Sequence, residues 1–306
     1  MLIGHDKIVQ FFATAIKNGT LGHAYCLVGS NQVGKRKLVN FLASQILNTP
    51  EERLATNPDY YYLERETDEK TGKLKKEISV KQSRSIRERL QNSSWLGGGQ
   101  IVIIDEAELI NDEAANALLK ILEEPPKKAA IFLLTIDDQL LLPTIRSRCQ
   151  TFYLGLVPDA QIAAGLMTMG ADQEIADDIA KISWGRPGRA VEMFLDADKR
   201  NEYYIETQRL RNLVNAPFHA KLAALEDLFG KKDDDPMQKR DRWKSVLDIW
   251  QMQWRNFLLK NQAGEAANNF STAQIVEIID RFKIAQKLMG ENINPRLLIE
   301  ETILKF

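Results

Sequence analysis

A glycine-rich segment near the amino terminus has the spacing of a phosphate-binding loop. Gly29 opens the segment, and Gly34 and Lys35 close it after four intervening residues. In the pattern G-x-x-x-x-G-K-S/T, backbone N–H groups surround the phosphates, the lysine contacts the β and γ oxygens, and the final hydroxyl binds Mg²⁺. Arg36 stands at that final position, and a guanidinium offers no oxygen to a metal. We therefore expect a phosphate cradle that has lost its metal ligand.

Two acidic residues, Asp105 and Glu106, follow the apolar run 101–104. Such a run is typical of a strand buried on both faces of a parallel sheet, and ligands bind where such strands end. In phosphate-loop enzymes an acid at this place holds Mg²⁺, and a second residue can orient the attacking water. Thr135 ends the next apolar run and could contact the same phosphate. The plainer alternatives stay open: two solvated acids, and an ordinary strand threonine.

Two arginines, Arg146 and Arg148, lie close together beyond the last apolar runs. A guanidinium can reach a nucleotide held by a neighbouring subunit and stabilise the charge that develops during phosphoryl transfer. An isolated arginine on a loop is more often only a solvated charge, so the segment alone does not decide between the two roles.

Three cations recur at intervals of three on a helix predicted over 80–92. They are Lys81, Arg84 and Arg87, and this spacing places them along one face. Such a face can follow a DNA backbone without reading its sequence. A solvated helix face explains the same pattern equally well.

The elements that would position these residues follow from the apolar periodicity. Strands alternate with helices over about the first 150 residues, which predicts an α/β domain with a parallel sheet. Its predicted strands are 23–28, 59–63, 77–80, 101–104 and 130–135, and its predicted helices are 6–18, 37–47, 80–92 and 114–123. We interpret the lysine-rich segment 70–76 as the tip of a hairpin between the second and third strands.

Beyond Pro158 the signals are helical. One apolar stripe has spacings of three or four and consists of Trp243, Leu247, Trp250, Trp254 and Phe257. Tryptophans at helical spacing usually pack, so we predict core or subunit interface rather than base stacking. The predicted domains are a nucleotide-loop domain over 1–157, a small helical lid over 158–201 and a helical oligomerisation (collar) domain over 202–306.

Composition sets limits on function. The net charge of −1 over 306 residues means that any DNA contact must come from a local basic patch. Cys26 and Cys149 lie far apart and form no metal-binding pattern. The residues after Met1 do not show the basic-then-apolar pattern of a signal segment, and no run approaches 18 apolar residues, so we expect neither secretion nor membrane spanning. We therefore expect a cytoplasmic protein that does not enter the membrane.

Several short motifs occur in the order and at the spacing of a known family. They are Ile3-Gly4-His5, His23-Ala24-Tyr25, Gly34-Lys35, Ile104-Asp105-Glu106-Ala107-Glu108, Asn116-Ala117-Leu118-Leu119-Lys120, Leu122-Glu123-Glu124-Pro125-Pro126 and Ser147-Arg148-Cys149-Gln150. Together they resemble the clamp-loader branch of the AAA+ ATPases, and within it the delta-prime family of bacterial DNA polymerase III subunits. The stretch 292–300 resembles the last helix of that family, so the resemblance spans the chain.

The resemblance implies a role for each candidate residue. Arg148 would be an arginine finger that enters the ATP site of an adjacent ATPase subunit. The chain's own nucleotide site, in degenerate form, would consist of Gly29, Gly34, Lys35, Arg36, Asp105, Glu106 and Thr135. Lys81, Arg84 and Arg87 would contact DNA. The segment 185–189 resembles the second nucleotide sensor, with Gly188 at the sensing position and the choice between Arg186 and Arg189 left open.

The resemblance also implies partners: clamp-loader ATPase subunits, the delta subunit, the sliding clamp and primer–template DNA, in a hetero-oligomer. Relatives commonly carry a four-cysteine zinc module, but the segment 48–58 has no cysteine, so we expect no zinc or other metal. Because of Arg36 we expect no efficient ATP hydrolysis, and whether ATP binds at all stays open. The alternative is a hydrolysing AAA+ subunit, like the gamma/tau motor, with Mg²⁺ held by water, phosphates and Asp105.

Overall fold

The computed structural model describes residues 1–68, 74–91, 94, 99–125, 128–214, 216–229, 236–264, 270–289, 294–304 and 306. They divide into two compact units, Met1–Leu195 and Asp196–Phe306. The predicted separation of a lid over 158–201 stays a prediction.

The first unit contains a five-stranded parallel sheet. Its strands are β1 (Ala24–Val28), β2 (Tyr60–Leu63), β3 (Gln100–Ile104), β4 (Ala129–Thr135) and β5 (Gln150–Tyr153). Their order across the sheet is β2-β3-β4-β1-β5, and neighbouring strands run parallel. The three central strands are buried at every position, as their continuous apolar sequences predict.

Helices cover both faces of this sheet. They are α1 (Asp6–Asn18), α2 (Lys35–Ile46), α3 (Val80–Gln91), α4 (Asp112–Glu123) and α5 (Pro143–Arg146). Three further helices follow β5 and pack against one another: α6 (Asp159–Thr168), α7 (Gln173–Ser183) and α8 (Pro187–Leu195). Ile101 and Ile103 of β3 share a core with α1 and α2, whereas Val102 and Ile104 share a core with α3 and α4. This alternation follows from the two-residue period of a strand, and it confirms the predicted α/β class.

The sheet differs from the sequence-based prediction at two places. The predicted strand 77–80 is wrong: Ile78 forms only an isolated parallel bridge with Ile110, and Val80 already begins α3. β5 was not predicted, because its four residues lie at the sheet edge and are exposed or half-buried. Four residues of the proposed hairpin tip, 70–73, lie outside the described residues, as do 126, 292 and 293 of the family motifs.

The second unit is helical. It consists of α9 (Ala197–Leu213), α10 (Phe218–Phe229), α11 (Pro236–Gln262), α12 (Thr272–Leu288) and α13 (Pro295–Ile303). Leu247, Trp250 and Trp254 of α11 are fully buried, and the Trp250 indole N–H donates to the carbonyl of Glu206 at 3.1 Å. Three of the five residues of the predicted apolar stripe therefore lie in the core of this unit, and Trp243 and Phe257 are half-buried. Among the helices of the described residues, none has the length and apolar character needed to cross a membrane.

Candidate functional site

The glycine loop joins the end of β1 to the start of α2, as a phosphate cradle requires. The Gly29 N–H donates to the Thr135 carbonyl at 3.1 Å, so the loop starts beside the end of β4. Gly34 has φ 111°, a conformation that side-chain-bearing residues rarely adopt, and it turns the chain into α2. The Lys35 ammonium donates to the carbonyls of Gly29 and Ser30, the latter at 3.3 Å. The lysine thus lies over its own loop.

Lys35 lies in a partly dry environment. Burial lowers the pKa of its ammonium, while the carboxylates of Glu108 and Asp105 act in the opposite direction. Glu108 was not among the predicted site residues, and its Oε2 is a buried atom without a hydrogen-bond partner among the described residues. Two carboxylates therefore offset part of the effect of burial on the loop lysine.

Arg36 contacts the acidic pair through a tyrosine. Its guanidinium carbon lies 4.0 Å from the centre of the Tyr62 ring, a cation–π contact. The Tyr62 hydroxyl donates to Oδ2 of Asp105, and Oδ1 of Asp105 accepts the N–H of Glu106 at 2.9 Å. Burial and the bond to Asp105 raise the pKa of Tyr62, so the hydroxyl stays protonated and acts as the hydrogen-bond donor to Asp105. Both Asp105 oxygens have partners within the protein.

Glu106, the second acid, is bound by an arginine. Arg65 donates from Nε to Oε2 at 2.6 Å and from Nη2 to Oε1 at 2.9 Å. Such a two-point pair fixes the plane of the carboxylate as well as its position. Glu106 adopts a left-handed backbone conformation, φ 50°, directly after β3. The second acid is therefore oriented towards Arg65.

These residues do not fit a Mg²⁺ ion. Magnesium needs near-octahedral oxygen ligands, but Arg36 brings a positive charge, and Asp105 and Glu106 are bonded to Tyr62 and Arg65. Within the described part of the chain, no group of three or more His, Cys, Asp or Glu residues is placed to share a metal. The predicted absence of zinc stays a prediction.

The region that resembles the second sensor closes onto the glycine loop. The Gly188 N–H, at the start of α8, donates to the Gln32 carbonyl at 2.8 Å, and Gln32 Nε2 donates to Glu192 at 2.8 Å. A Cβ atom on Gly188 would stand 2.8 Å from that carbonyl oxygen. Gly188, at the position that resembles the second nucleotide sensor, thus contacts the glycine loop through its backbone. Arg189 is buried.

Arg148 follows α5 and is bonded to two helices. Its Nη1 donates to the Thr144 carbonyl at 2.8 Å, and its Nη2 donates to Oε1 of Glu123, the last residue of α4, at 2.7 Å. The side chain remains 34% exposed. Arg146 forms a looser pair with Asp138, at 3.7 Å. Of the two predicted arginines, Arg148 is therefore the more firmly oriented.

The three cations of α3 share an exposed face. Lys81, Arg84 and Arg87 are exposed, whereas Ile86 and Leu90 of the same helix are buried. This placement agrees with the predicted spacing. It leaves the choice between a DNA-contacting face and a solvated face open.

Comparison with known proteins identifies the relatives of this chain. A family model described as DNA polymerase III, delta subunit, matches residues 4–157. DNA polymerase III subunit delta′ of Escherichia coli K12 is 30% identical over 262 residues, which cover 82% of this chain and 74% of the relative. DNA polymerase III subunit tau of the same strain is 30% identical over 183 residues, which cover 58% of this chain and 28% of tau.

A solved structure shares the fold along nearly its whole length. The DNA polymerase III gamma subunit-related protein of Thermotoga maritima has a TM-score of 0.54 and 18% identity. The match covers 96% of this chain and 97% of that chain. At this identity the likeness shows a shared fold and no more.

Proposed function

We propose that this chain, which belongs to the delta-prime family of DNA polymerase III subunits and has the AAA+ fold, completes a clamp-loader ring. In that ring it would donate Arg148 to the ATP site of a neighbouring subunit. One observation carries the proposal: Arg148 is oriented at the surface, while the two acids beside the chain's own glycine loop, Asp105 and Glu106, are bonded to protein side chains. The partners would be the loader's ATPase subunits, the delta subunit, the sliding clamp and primer–template DNA, in the cytoplasm.

The chemistry of the finger is electrostatic. A guanidinium carries a permanent charge and presents several N–H donors in one plane, which suits the oxygens of a phosphoryl group in transfer. The bonds of Arg148 to Thr144 and Glu123 leave further N–H donors for such a contact. ATP hydrolysis by a loader reconstituted with primed DNA tests this role. Unchanged hydrolysis with Arg148→Ala would remove it.

We also propose that the chain does not turn over ATP itself, and that any ATP at its glycine loop is not hydrolysed efficiently. It would need neither zinc nor Mg²⁺. The alternative motor subunit, of the gamma/tau kind, needs a metal held near Asp105. The bonds of that carboxylate to Tyr62 and to the Glu106 N–H argue against such a site.

We expect Arg36→Thr alone to leave the isolated chain without ATP hydrolysis. The hydroxyl would return, but Asp105 and Glu106 would remain bonded to Tyr62 and Arg65. Adding Tyr62→Phe would remove the hydrogen bond that the Tyr62 hydroxyl donates to Asp105 and so release one carboxylate oxygen. A hydrogen bond to a charged group has a net strength of about 1.5–3 kcal/mol. The double variant should therefore gain Mg²⁺-dependent nucleotide binding, about tenfold or more. Titration with a fluorescent ATP analogue, with and without Mg²⁺, measures this.

Arg36→Lys is the matched control, because it keeps the positive charge and restores no hydroxyl. Its nucleotide binding should not respond to Mg²⁺, with or without Tyr62→Phe. If Arg36→Thr alone produced steady Mg²⁺-dependent hydrolysis, the motor alternative would replace the present proposal.

We propose further that α3 contacts the backbone of primer–template DNA through Lys81, Arg84 and Arg87. Their shared exposed face supports this role. Each phosphate contact adds about 0.9 to the slope of log K against log salt. Alanine at all three positions should therefore weaken DNA binding by the assembled loader and flatten that slope by roughly 2.7 if each cation meets a phosphate. Fluorescence anisotropy over a salt series measures both.

The control removes the same charge elsewhere, with alanine at Lys17, Lys181 and Lys287, which are exposed on α1, α7 and α12. The salt slope of this variant should match that of the wild type. Equal slopes for both triple variants would identify α3 as a solvated face.

A further inference from the structure

The Arg148 guanidinium donates two short hydrogen bonds and one long one, the long one running from Nη1 to the Ser147 hydroxyl oxygen at 3.5 Å. The Glu123 carboxylate accepts from Nη2 at 2.7 Å, and the Thr144 carbonyl accepts from Nη1 at 2.8 Å. One group lies on α4 and the other on α5, so the two bonds approach the guanidinium from different elements. Two bonds to separate nitrogens fix both the position and the plane of the group.

The chain sequence explains why a carboxylate stands there. α4 ends at Glu123, and Pro125 follows two residues later, where proline disfavours helical geometry in the preceding residue. Glu124 accordingly leaves the helix, at φ −124° and ψ 68°. The helix end thus places the side chain of Glu123, and the short stretch Glu123–Pro125 sets the partner of Arg148.

The pair contributes little to folding stability. The Glu123 and Arg148 side chains are 51% and 34% exposed, and ion pairs at such exposure are weak because water screens them. The pair instead restricts the conformations that the long Arg148 side chain can adopt. An arginine that is already ordered loses less conformational entropy when it docks on a partner.

We propose that Glu123 is a positioning residue, which orients the Arg148 guanidinium for its contact with the neighbour's nucleotide. This inference rests on the proposed finger role of Arg148. Glu123 acts through Arg148 and does not touch the nucleotide itself. Removing the carboxylate should therefore lower the rate at the neighbour's site and leave ATP binding there nearly unchanged.

The experiment is a double-mutant cycle in the reconstituted loader with primed DNA. Steady-state ATP hydrolysis is measured for Glu123→Ala, Arg148→Ala and the double variant, with kcat and KM determined separately. Glu123→Ala should lower kcat at the served site by about tenfold with KM nearly unchanged. In the Arg148→Ala background the same change should have no further effect, because the group that it orients is absent.

Two more variants separate charge, geometry and folding. Glu123→Gln keeps an acceptor oxygen and should retain part of the activity that Glu123→Ala loses. Glu124→Ala removes the adjacent carboxylate and should behave as wild type. Thermal melting of each isolated variant checks that the fold is kept, and the melting temperatures should agree closely.

The outcomes distinguish the two proposals. If Arg148→Ala does not change hydrolysis, the finger role fails and Glu123 has nothing to position. If Arg148→Ala lowers hydrolysis but Glu123→Ala equals or exceeds wild type, the finger role stands and the positioning role is refuted. An equal loss from Glu123→Ala in both backgrounds also refutes it, because the residue would then act independently of Arg148.

Discussion

Arg148→Ala should reduce ATP hydrolysis at the single site that it serves by about 10³-fold or more. The reason is that the positive charge would be absent where negative charge develops on the phosphoryl group. In a loader with several ATP sites, the total rate should fall by the share of that one site. The loss should appear in kcat, because the finger contributes mainly in the transition state.

Three comparisons make this result specific. Arg148→Lys keeps the charge but loses the planar set of donors, so it should restore little of the rate. Arg146→Ala removes a neighbouring arginine, which pairs loosely with Asp138, and should have a small effect. Lys35→Ala should have no effect on hydrolysis. If Lys35→Ala caused the large loss instead, the chain's own loop would be the active one.

The buried part of the fold was predictable from local sequence. β1, β3 and β4 are apolar at nearly every position, because they are covered on both faces, and their positions were predicted. Edge positions carry no such pattern. β5 contains Gln150 and Thr151, pairs with β1 at the edge of the sheet and was not predicted. The run at 77–80 resembled a strand, but its one bridge is that of Ile78.

The site was predictable only where its residues lie in one segment. The glycine loop and the acids follow known spacings, but their partners Tyr62 and Arg65 come from β2 and the residues after it. β2 reaches the acids because it pairs with β3, with Leu63 opposite Ile104. That pairing joins segments about 40 residues apart and leaves no local signal. The bonds from Tyr62 to Asp105 and from Arg65 to Glu106 thus connect the ends of β2 and β3, a structural role for the acids that needs no metal.

Trp254→Ala should destabilise the helical unit by about 3–5 kcal/mol, the usual range for truncating a buried tryptophan. The side chain is fully buried, and its ring centre lies 5.0 Å from that of Phe306 and 5.3 Å from those of Phe257 and Phe270. Alanine would leave a cavity that three aromatic rings cannot close without leaving their packed positions. Urea unfolding of the isolated chain, followed by far-UV circular dichroism, measures the loss.

Trp254→Phe is the matched control. Among the described residues the indole N–H of Trp254 is buried without a hydrogen-bond partner. Phenylalanine removes this unpaired donor, which should stabilise the unit, but its smaller ring fills less of the site, which should destabilise it. Because these two effects oppose each other, the net loss in free energy of unfolding should stay below about 1.5 kcal/mol. A base-stacking role makes the opposite prediction, because Trp254→Ala would then weaken DNA binding and leave unfolding unchanged. Full burial of the ring favours the first outcome, since a base cannot stack on a face that other side chains already cover.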